Sequence, residues 1–390
     1  MYLTKEQERI FNGEEGETKE LAMKVLVAIG DVYEAPRMID VRSAQISGVS
    51  YKTIGDPGLE FLREFSSGKA RAIVKAMVNP AGMDLVRWVE LGIPEEFARK
   101  QLEIMQCFSK MGIEPTCTCI PYSGEAAPLR EEHLAWAESS AVVFANSVLG
   151  AYTNREGGPT ALASSVLGLT PLYGMHIDEN RTPTHLVKMK CQLKSDLDYS
   201  LLGYWIGRNL GSCIPRIQGL PALCPHDRLK SLGASMAASG SVAMFSTEEN
   251  GESKNAETVT VDRKELLEVG RLLSSERDFE HVALGCPHLS LEELKAVADL
   301  VSGRRLAKDL WCFTSRHLRD VAKTRGYVDA IESSGGKVIC DTCIVVSPMT
   351  EKGMEGLVTN SCKAAHYLRS LNRVETRLMS FEGCVQHALL

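Results

Sequence analysis

The twelve cysteines of this 390-residue sequence are the residues with the clearest capacity for chemistry. A cysteine thiolate can bind a metal, attack an electrophile or take part in redox reactions. Three of the cysteines stand in segments that interrupt regular structure. Cys119 lies two residues before a proline, Cys286 lies between a glycine and a proline, and Cys343 closes an Asp-Thr-Cys motif. Any one of the twelve, taken alone, is more often a buried structural thiol.

One pair, Cys340 and Cys343, has a spacing that suits a metal or redox site. A thioredoxin-like role is disfavoured because the pair lies in an apolar run, 338–346, and does not open a helix. Structural zinc is disfavoured because no second close pair has a standard gap. On a regular strand, residues three apart point to opposite faces, so only one of the two could face a shared site. A site assembled from distant single cysteines remains open.

Other polar segments could bind an anionic ligand. Arg155 offers a planar guanidinium suited to a carboxylate or phosphate. Ser361 and Lys363 stand where a helix is predicted to begin, and a helix N-terminus attracts anions. Gly48 lies in a polar turn that could approach a ligand closely. His176 stands beside carboxylates, although a lone histidine of this kind is more often structural than catalytic.

The elements that must position these residues alternate between helical and strand patterns from end to end, which favours an α/β fold. One amphipathic helix is predicted from an apolar stripe at Leu21, Val25, Ile29 and Val32. A further helix is predicted between Pro94 and Gly112. The segment 242–245 has the composition of a strand.

The last third of the chain predicts an open, mostly parallel sheet. Helices are expected at about 291–300 and 316–330, with a last helix from about 362. Strands are expected at 279–284, 310–313, 338–346 and 357–359. Ligands of such sheets bind beyond the carboxyl ends of the strands, where Cys286 and Cys362 lie.

A polar segment at residues 247–255 is the predicted boundary between an N-terminal α/β region, 1–246, and a C-terminal α/β region, 262–390. A solvated loop within one domain is the alternative interpretation. No internal repeat or low-complexity segment is present.

The composition excludes several classes of protein. With 44% hydrophobic and 24% charged residues, the chain is neither disordered nor fibrous. A net charge of −6 without a basic stripe disfavours a nucleic-acid binder. No apolar run approaches the length of a membrane span, and the start of the chain lacks the core of a signal peptide. Twelve cysteines without an export signal predict reduced thiols, and hence a soluble cytoplasmic protein.

Several of these segments together resemble the aconitase X family. The similar segments extend from about residue 45 to 367 and occur in the family's order. They are 47–51, 119–122, 133–159, 172–176, 285–288, 341–343 and 359–367. Several unusual motifs in the right order are far more specific than any one of them.

The resemblance implies an aconitase-like fold, with layered α/β domains and mostly parallel sheets around a central cleft. It implies a hydro-lyase that uses a [4Fe–4S] cluster with three cysteine ligands, which leaves one iron open as a Lewis acid. Carried over to this chain, the ligands are Cys119, Cys286 and Cys343, with Cys362 and Cys340 in reserve. The substrate-binding residues that it implies are Gly48, Val49, Ser50, Asn154, Arg155, His176, Ser361 and Lys363.

Within the family, the chain is most similar to the archaeal type. That type dehydrates (R)-5-phosphomevalonate to trans-anhydromevalonate 5-phosphate in an archaeal mevalonate pathway of isoprenoid biosynthesis. The chain length implies that the small swivelling domain is a separate subunit, so that a heterodimer forms. The catalytic base is expected to be a serine of that subunit, so no residue of this chain is assigned as the base.

Two alternatives remain. The first is a subunit of a cis-3-hydroxy-L-proline dehydratase, the bacterial type of the family, which often carries the small subunit fused to the large one. The second is a cluster-bearing binding protein without turnover, which the balanced charge disfavours.

Overall fold

The structure is a computed structural model, and it describes residues 1–124, 127–221, 223–247, 256–351 and 353–390. Two short π-helical segments, Ala145–Leu149 and Leu368–Asn372, directly continue the α-helices Ser139–Phe144 and Cys362–Tyr367. The α-helices in the described residues are α1 (Lys5–Phe11), α2 (Glu17–Val32), α3 (Tyr51–Ser67), α4 (Glu95–Lys110), α5 (Ser139–Phe144), α6 (Gly158–Leu167), α7 (Asp196–Leu210), α8 (His226–Gly240), α9 (Arg263–Leu273), α10 (Leu291–Val301), α11 (Arg316–Thr324), α12 (Tyr327–Ser333), α13 (Cys362–Tyr367) and α14 (Phe381–Leu389).

The strands alternate with these helices. They are β1 (Met38–Asp40), β2 (Ser43–Ile46), β3 (Lys75–Val78), β4 (Ala135–Trp136), β5 (Leu169–Pro171), β6 (His185–Met189), β7 (Pro215–Gln218), β8 (Glu257–Val261), β9 (His281–Leu284), β10 (Asp309–Thr314), β11 (Lys337–Cys340), β12 (Gly356–Thr359) and β13 (Glu375–Leu378).

Three parallel sheets organise the described part of the chain. Their strand orders are β3-β2-β4, β7-β6-β8 and β11-β10-β9-β12-β13. Every pairing inside them is parallel, whereas β1 and β5 form a separate antiparallel pair. Parallel strands need helical crossovers on the sheet faces, and the alternating order supplies them. The predicted α/β class with mostly parallel sheets is confirmed.

Each of the three parallel sheets has its own hydrophobic core. Ile46 and Val78 belong to the core of the first sheet, and Val187 and Ile217 to that of the second. The third core contains Val282 and Leu284 of the central strand β9 together with residues of α10, α12 and α14. Burial of one such side chain stabilises the fold by about 1.5–3 kcal/mol. Among the described residues, no helix combines the length and the apolar character needed to cross a membrane.

The C-terminal sheet confirms most of its prediction and corrects three parts of it. The strand predicted at 338–346 ends at Cys340, because Asp341 takes a left-handed backbone conformation with φ of 64°. The helix predicted at 316–330 is two helices, interrupted at Gly326 with φ of 78°. The helix that begins at Cys362 is not the last, because β13 and α14 follow it and add an edge strand.

Both helices predicted in the N-terminal part are present. Helix α2 exists, but its buried residues are Ala22, Met23, Leu26 and Gly30, and the predicted stripe was wrong. Two members of that stripe, Leu21 and Val32, are exposed, because packing against α6 selects a neighbouring face of the helix. Helix α4 lies where it was predicted, with Pro94 as its N-cap.

Two predictions concern the segment before and at the expected domain boundary. Residues 242–245 do not form a strand, although Val242 and Phe245 pack into the second core. Of the boundary itself, residues 248–255 lie outside the described residues, and the division into 1–246 and 262–390 stays a prediction.

Candidate active site

A cavity of about 220 Å³ is lined by loops from both the N-terminal and the C-terminal parts of the chain. Other depressions of the surface are larger, at about 700 and 630 Å³, but no cysteine lines either of them. The small cavity is distinguished by its chemistry. Its walls include Cys119, Cys286 and Cys343 together with Glu138, Arg155 and Lys363.

Local folding explains how three distant cysteines meet. Cys286 and Cys343 follow the ends of β9 and β11, which both pair in parallel with β10. The carboxyl ends of parallel strands share one edge of the sheet, so both loops emerge on the same side. The loop that carries Cys119 is held against the first sheet. The Thr118 amide donates to the Val78 carbonyl at 3.2 Å, and Gln45 Nε2 donates to the Thr118 carbonyl at 3.1 Å.

A glycine is required beside Cys286. Gly285 has φ of 106°, a conformation that side chains with a Cβ rarely adopt. A Cβ built on it would also lie 2.2 Å from the Phe313 carbonyl oxygen. The loop therefore leaves β9 tightly against β10, and the next residue, Cys286, reaches the cavity.

The three thiols are the side chains of this cavity that could hold a metal or a metal cluster. Among the described residues, no set of three histidine, cysteine or acidic side chains is arranged to hold one metal ion. The three cysteines stand on three separate loops around a common cavity, and cysteine thiolates are the ligands that hold iron–sulfur clusters. Burial raises the pKa of Cys286 to about 12 and also raises the pKa of Cys119 and Cys343. Without a metal these thiols hold their protons, and a bound metal displaces them.

The two reserve cysteines do not line the cavity. Cys340 is buried at the end of β11, where its amide donates to Asp84 Oδ2 at 3.0 Å. Cys362 is buried in the second core, and its amide donates to Ser200 Oγ at 2.9 Å. The structure therefore brings Cys119, Cys286 and Cys343 together without either of them.

A buried ion pair forms one wall of the cavity. Lys363 Nζ contacts Glu138 Oε1, and the Ser140 hydroxyl and Asn79 Nδ2 donate to the same carboxylate at 2.9 and 2.6 Å. Burial opposes ionisation of Glu138, but the charge and hydrogen bond of Lys363 outweigh it and lower the pKa of Glu138 to about 2. The pKa of Lys363 is likewise raised by Glu138 against the effect of burial. Both groups are therefore charged at neutral pH, and they compensate one another.

Arg155 presents an uncompensated positive charge. It lines the cavity, it is exposed, and within the described part of the chain it has no hydrogen-bond or ion-pair partner. Its neighbour Asn154 is buried and ties this loop to the backbone of residues 173–175, accepting from the Met175 amide at 2.8 Å and donating to the Tyr173 carbonyl at 3.0 Å. Asn154 thus orients the loop without lining the cavity.

The turn at residues 48–50 supports the Cys343 loop from behind. Neither Gly48, Val49 nor Ser50 lines the cavity, although the adjacent Ser47 does. Ser50 Oγ donates to the Val346 carbonyl at 2.8 Å, and the Val49 carbonyl accepts from Gln101 Nε2 at 3.0 Å.

His176 and Ser361 also lie outside the lining. His176 is buried and paired through Nδ1 with His133 Nδ1 at 3.0 Å, and burial lowers its pKa to about 3. Ser361 caps α13 by accepting from the Ala364 amide at 3.0 Å. Ser361 therefore fixes the start of α13, whereas His176 belongs to a separate pair with His133.

Buried charges hold the Cys343 loop in its left-handed start. Arg316 donates through Nη2 to Asp84 Oδ1 at 2.8 Å and through Nε to Asp341 Oδ2 at 3.1 Å. The Ala81 amide donates to the Asp341 carbonyl at 2.7 Å. Sequence reasoning missed Asp84 and Arg316, and it assigned no role to Glu138, although Glu138 lies inside one of the motifs that carried the family resemblance. The only local signal for a role of Glu138 was its charge next to the start of a helix, α5.

Models of the aconitase X family match nearly the whole chain. The first domain matches residues 1–179, the second 183–271 and the third 279–390. The phosphomevalonate dehydratase large subunit of Methanocaldococcus jannaschii is 47% identical over 390 aligned residues, which cover 96% of this chain and 97% of that protein. The cis-3-hydroxy-L-proline dehydratase of Pseudomonas aeruginosa is 34% identical, covering 97% of this chain but 68% of that protein.

A solved structure agrees with these matches. The crystal structure of Thermococcus kodakaraensis aconitase X in its holo-form superimposes with a TM-score of 0.93 at 43% sequence identity, over 100% of both chains. The predicted aconitase-like fold is thereby confirmed. Similarity of this extent in both sequence and structure shows the kinship that the motifs indicated: this chain belongs to the aconitase X family.

Proposed function

We propose that this chain is the large subunit of a hydro-lyase that dehydrates (R)-5-phosphomevalonate to trans-anhydromevalonate 5-phosphate. The observation that carries the proposal is the convergence of three thiols, an unpaired arginine and a buried lysine on one cavity. Full-length similarity at 47% identity to a relative named as a phosphomevalonate dehydratase large subunit supports the substrate.

Cys119, Cys286 and Cys343 would hold an iron–sulfur cluster, proposed as [4Fe–4S]. When bound, such a cluster with three protein ligands supplies a Lewis acid for a hydroxyl that must leave. The first residues of α5 and α13 line the same cavity through Ser139 and Lys363.

Arg155 binds the carboxylate of the substrate in this proposal. A guanidinium can take a carboxylate through two parallel hydrogen bonds, which fixes the direction of the acid group as well as its position. Lys363 is less suited to this task because Glu138 already compensates its charge. Gly48, Val49, Ser50, Asn154 and Ser361 act by holding the loops, and His176 has no assigned contact with the substrate.

A separate small subunit is part of the proposal. The relative from Methanocaldococcus jannaschii is named as a large subunit, and a second, small subunit would complete the cleft. It would supply the serine base that removes the proton beside the carboxylate. Because all twelve cysteines are unpaired, we also propose a reducing, cytoplasmic setting for the enzyme.

The test is anaerobic reconstitution of the chain with iron, sulfide and its small subunit, followed by assay of two substrates. We expect dehydration of 5-phosphomevalonate, detected as an alkene product by NMR, with little turnover of cis-3-hydroxy-L-proline. Preference for hydroxyproline would favour the bacterial type of activity, and a loaded complex without turnover on either would contradict the enzyme proposal. The second outcome would favour a cluster-bearing binding protein.

A further inference from the structure

His288 is the residue at which the three cysteine loops meet. Its ring contacts two of them, because Nδ1 lies 3.2 Å from Thr118 Oγ1 and Nε2 lies 2.9 Å from the Thr342 carbonyl oxygen. Its amide donates to Cys119 Sγ at 3.2 Å. It also follows Cys286 by two positions in the third loop. One side chain therefore touches the neighbours of Cys119 and Cys343 and belongs to the loop of Cys286.

The contacts define one tautomer of the ring. A carbonyl oxygen only accepts hydrogen bonds, so Nε2 carries the hydrogen that reaches Thr342. Nδ1 is then the acceptor, and the Thr118 hydroxyl donates to it. Both ring nitrogens are satisfied in a site where His288 has no exposed surface. The His288 ring thus links two cysteine loops, donating a hydrogen bond to one and accepting a hydrogen bond from the other.

The backbone of His288 is anchored by residues that do not line the cavity. Lys230 Nζ donates to the His288 carbonyl at 3.2 Å, and Lys230 is itself paired with Asp227 at 2.9 Å. The amide of the following residue, Leu289, donates to the Phe313 carbonyl at 2.9 Å. The ring therefore extends from a fixed backbone toward Thr118 and Thr342, so it can hold the loops of Cys119 and Cys343 in place.

We propose that His288 is a positioning residue that holds the three cysteine loops in register, so that their thiols are in place before the iron–sulfur group binds. This inference rests on the proposed cluster-binding role of Cys119, Cys286 and Cys343. The groups behind metal ligands orient them, and loss of such a group typically weakens metal binding by about 10- to 100-fold.

The test compares three variants of His288 with a matched control. His288→Phe keeps a buried ring and removes both hydrogen bonds. His288→Gln can still donate to Thr342, and His288→Asn can still accept from Thr118. The control is His387→Phe, because His387 is also buried and its Nε2 also meets a backbone carbonyl, that of Phe279 at 3.0 Å, without lining the cavity.

The first readout is retention of iron by the reconstituted protein during challenge with a chelator, together with its electron paramagnetic resonance spectrum. We expect His288→Phe to lose iron about 10-fold faster or more, with an altered spectrum, and His288→Gln to recover part of the retention. His387→Phe should behave as the wild type. Equal loss from wild type and His288→Phe would overturn the proposal, as would equal effects of the two phenylalanine variants.

The second readout uses the protein without a cluster. Alkylation of individual cysteines, followed by peptide mass spectrometry, should show faster modification of Cys119 and Cys343 in His288→Phe, with buried Cys312 as the internal reference. If wild type takes up no cluster, the proposed function fails, and alkylation still decides whether His288 holds the loops. If His288→Phe does not fold, the glutamine and asparagine variants carry both measurements, and wild-type behaviour in both would overturn the proposal.

Discussion

At the scale of single residues, the three thiols that line the cavity allow a direct test of the proposed ligand set. Each of the single variants Cys119→Ala, Cys286→Ala and Cys343→Ala should lower the iron content and abolish turnover, because a cluster left with two protein ligands is not retained. The measurement is iron and sulfide per chain after anaerobic reconstitution.

The reserve cysteines provide matched controls for these variants. Cys340→Ala and Cys362→Ala remove thiols that are fully buried and do not line the cavity. Both should keep a full complement of iron. Normal iron in any of the three ligand variants, or its loss from either control, would contradict the assignment.

Arg155 tests the binding of the substrate carboxylate. Arg155→Lys keeps the charge but loses the two parallel hydrogen bonds, so we expect kcat/KM to fall on the order of 10-fold or more. The melting temperature should not change, because Arg155 is exposed and has no partner in the described part of the chain. Steady-state kinetics of the reconstituted complex provides the measurement.

A control at a second surface arginine distinguishes a local effect at the cavity from a general effect of replacing arginine by lysine. Arg130→Lys alters a side chain that is 78% exposed and does not line the cavity. It should leave kcat/KM as it is in wild type. If Arg155→Lys also retains wild-type kinetics, Arg155 does not bind the substrate and its loop is only structural.

At the scale of secondary-structure elements, the ion pair between Glu138 and Lys363 joins the starts of α5 and α13. Lys363→Met would leave Glu138 buried and unpaired, at a cost of about 3–5 kcal/mol in the free energy of unfolding. The double variant Glu138→Gln/Lys363→Met should recover most of this loss. Urea unfolding of the chain measures all three proteins.

An exposed ion pair supplies the comparison. Lys295→Met breaks a pair with Asp299 on the surface of α10, which should change the stability by less than about 1 kcal/mol. A cost for Lys363→Met as small as that for Lys295→Met would show that the buried pair does not join the two helices.

The same pair predicts how stability depends on pH. The pKa of Glu138 is lowered from its ordinary value of 4.5 to about 2 in the folded protein. Its stabilising contribution is therefore complete above pH 4.5 and is lost as the pH falls from there through about 2. Glu138→Gln should show a flatter acid limb in the free energy of unfolding, and an acid limb identical to wild type would contradict the assignment.

At the scale of the whole molecule, the cavity opens to solvent on a side where both Arg155 and Leu371 are exposed. We expect the loaded chain by itself to keep its cluster but to show no turnover, since the proposed base comes from the small subunit. Titration with the small subunit should raise turnover until the two chains are equimolar. Turnover by the large subunit alone at a rate near that of the complex would refute the two-subunit mechanism.

The sequence by itself determined the features that depend on local pattern. Alternating periodicity indicated the α/β class, and capping and turn residues located most elements of the C-terminal sheet. The motifs around Cys119, Cys286 and Arg155 indicated the family, because several unusual segments in order are improbable by chance. Each of these signals lies within a few residues of its own position.

Only the tertiary structure decided which residues share the cavity. The sequence placed Cys340 and Cys343 on one predicted strand with Cys340 as a reserve ligand, but the left-handed turn at Asp341, held by Arg316 and Asp84, directs Cys343 to the cavity and leaves Cys340 outside its lining. Such a turn is stabilised by side chains distant in sequence, so local propensity could not predict it.

The roles of the supporting residues were decided in the same way. Ser50 resembled a substrate-binding residue in sequence, yet its hydroxyl donates to the Val346 carbonyl, 296 positions away. Glu138 and His288 carried no strong signal, because their partners Lys363, Thr118 and Thr342 meet them only after the sheets have packed. Sequence pattern reports what a residue can do over a few positions, whereas the partners that decide its role come from whichever loops the packed sheets bring together.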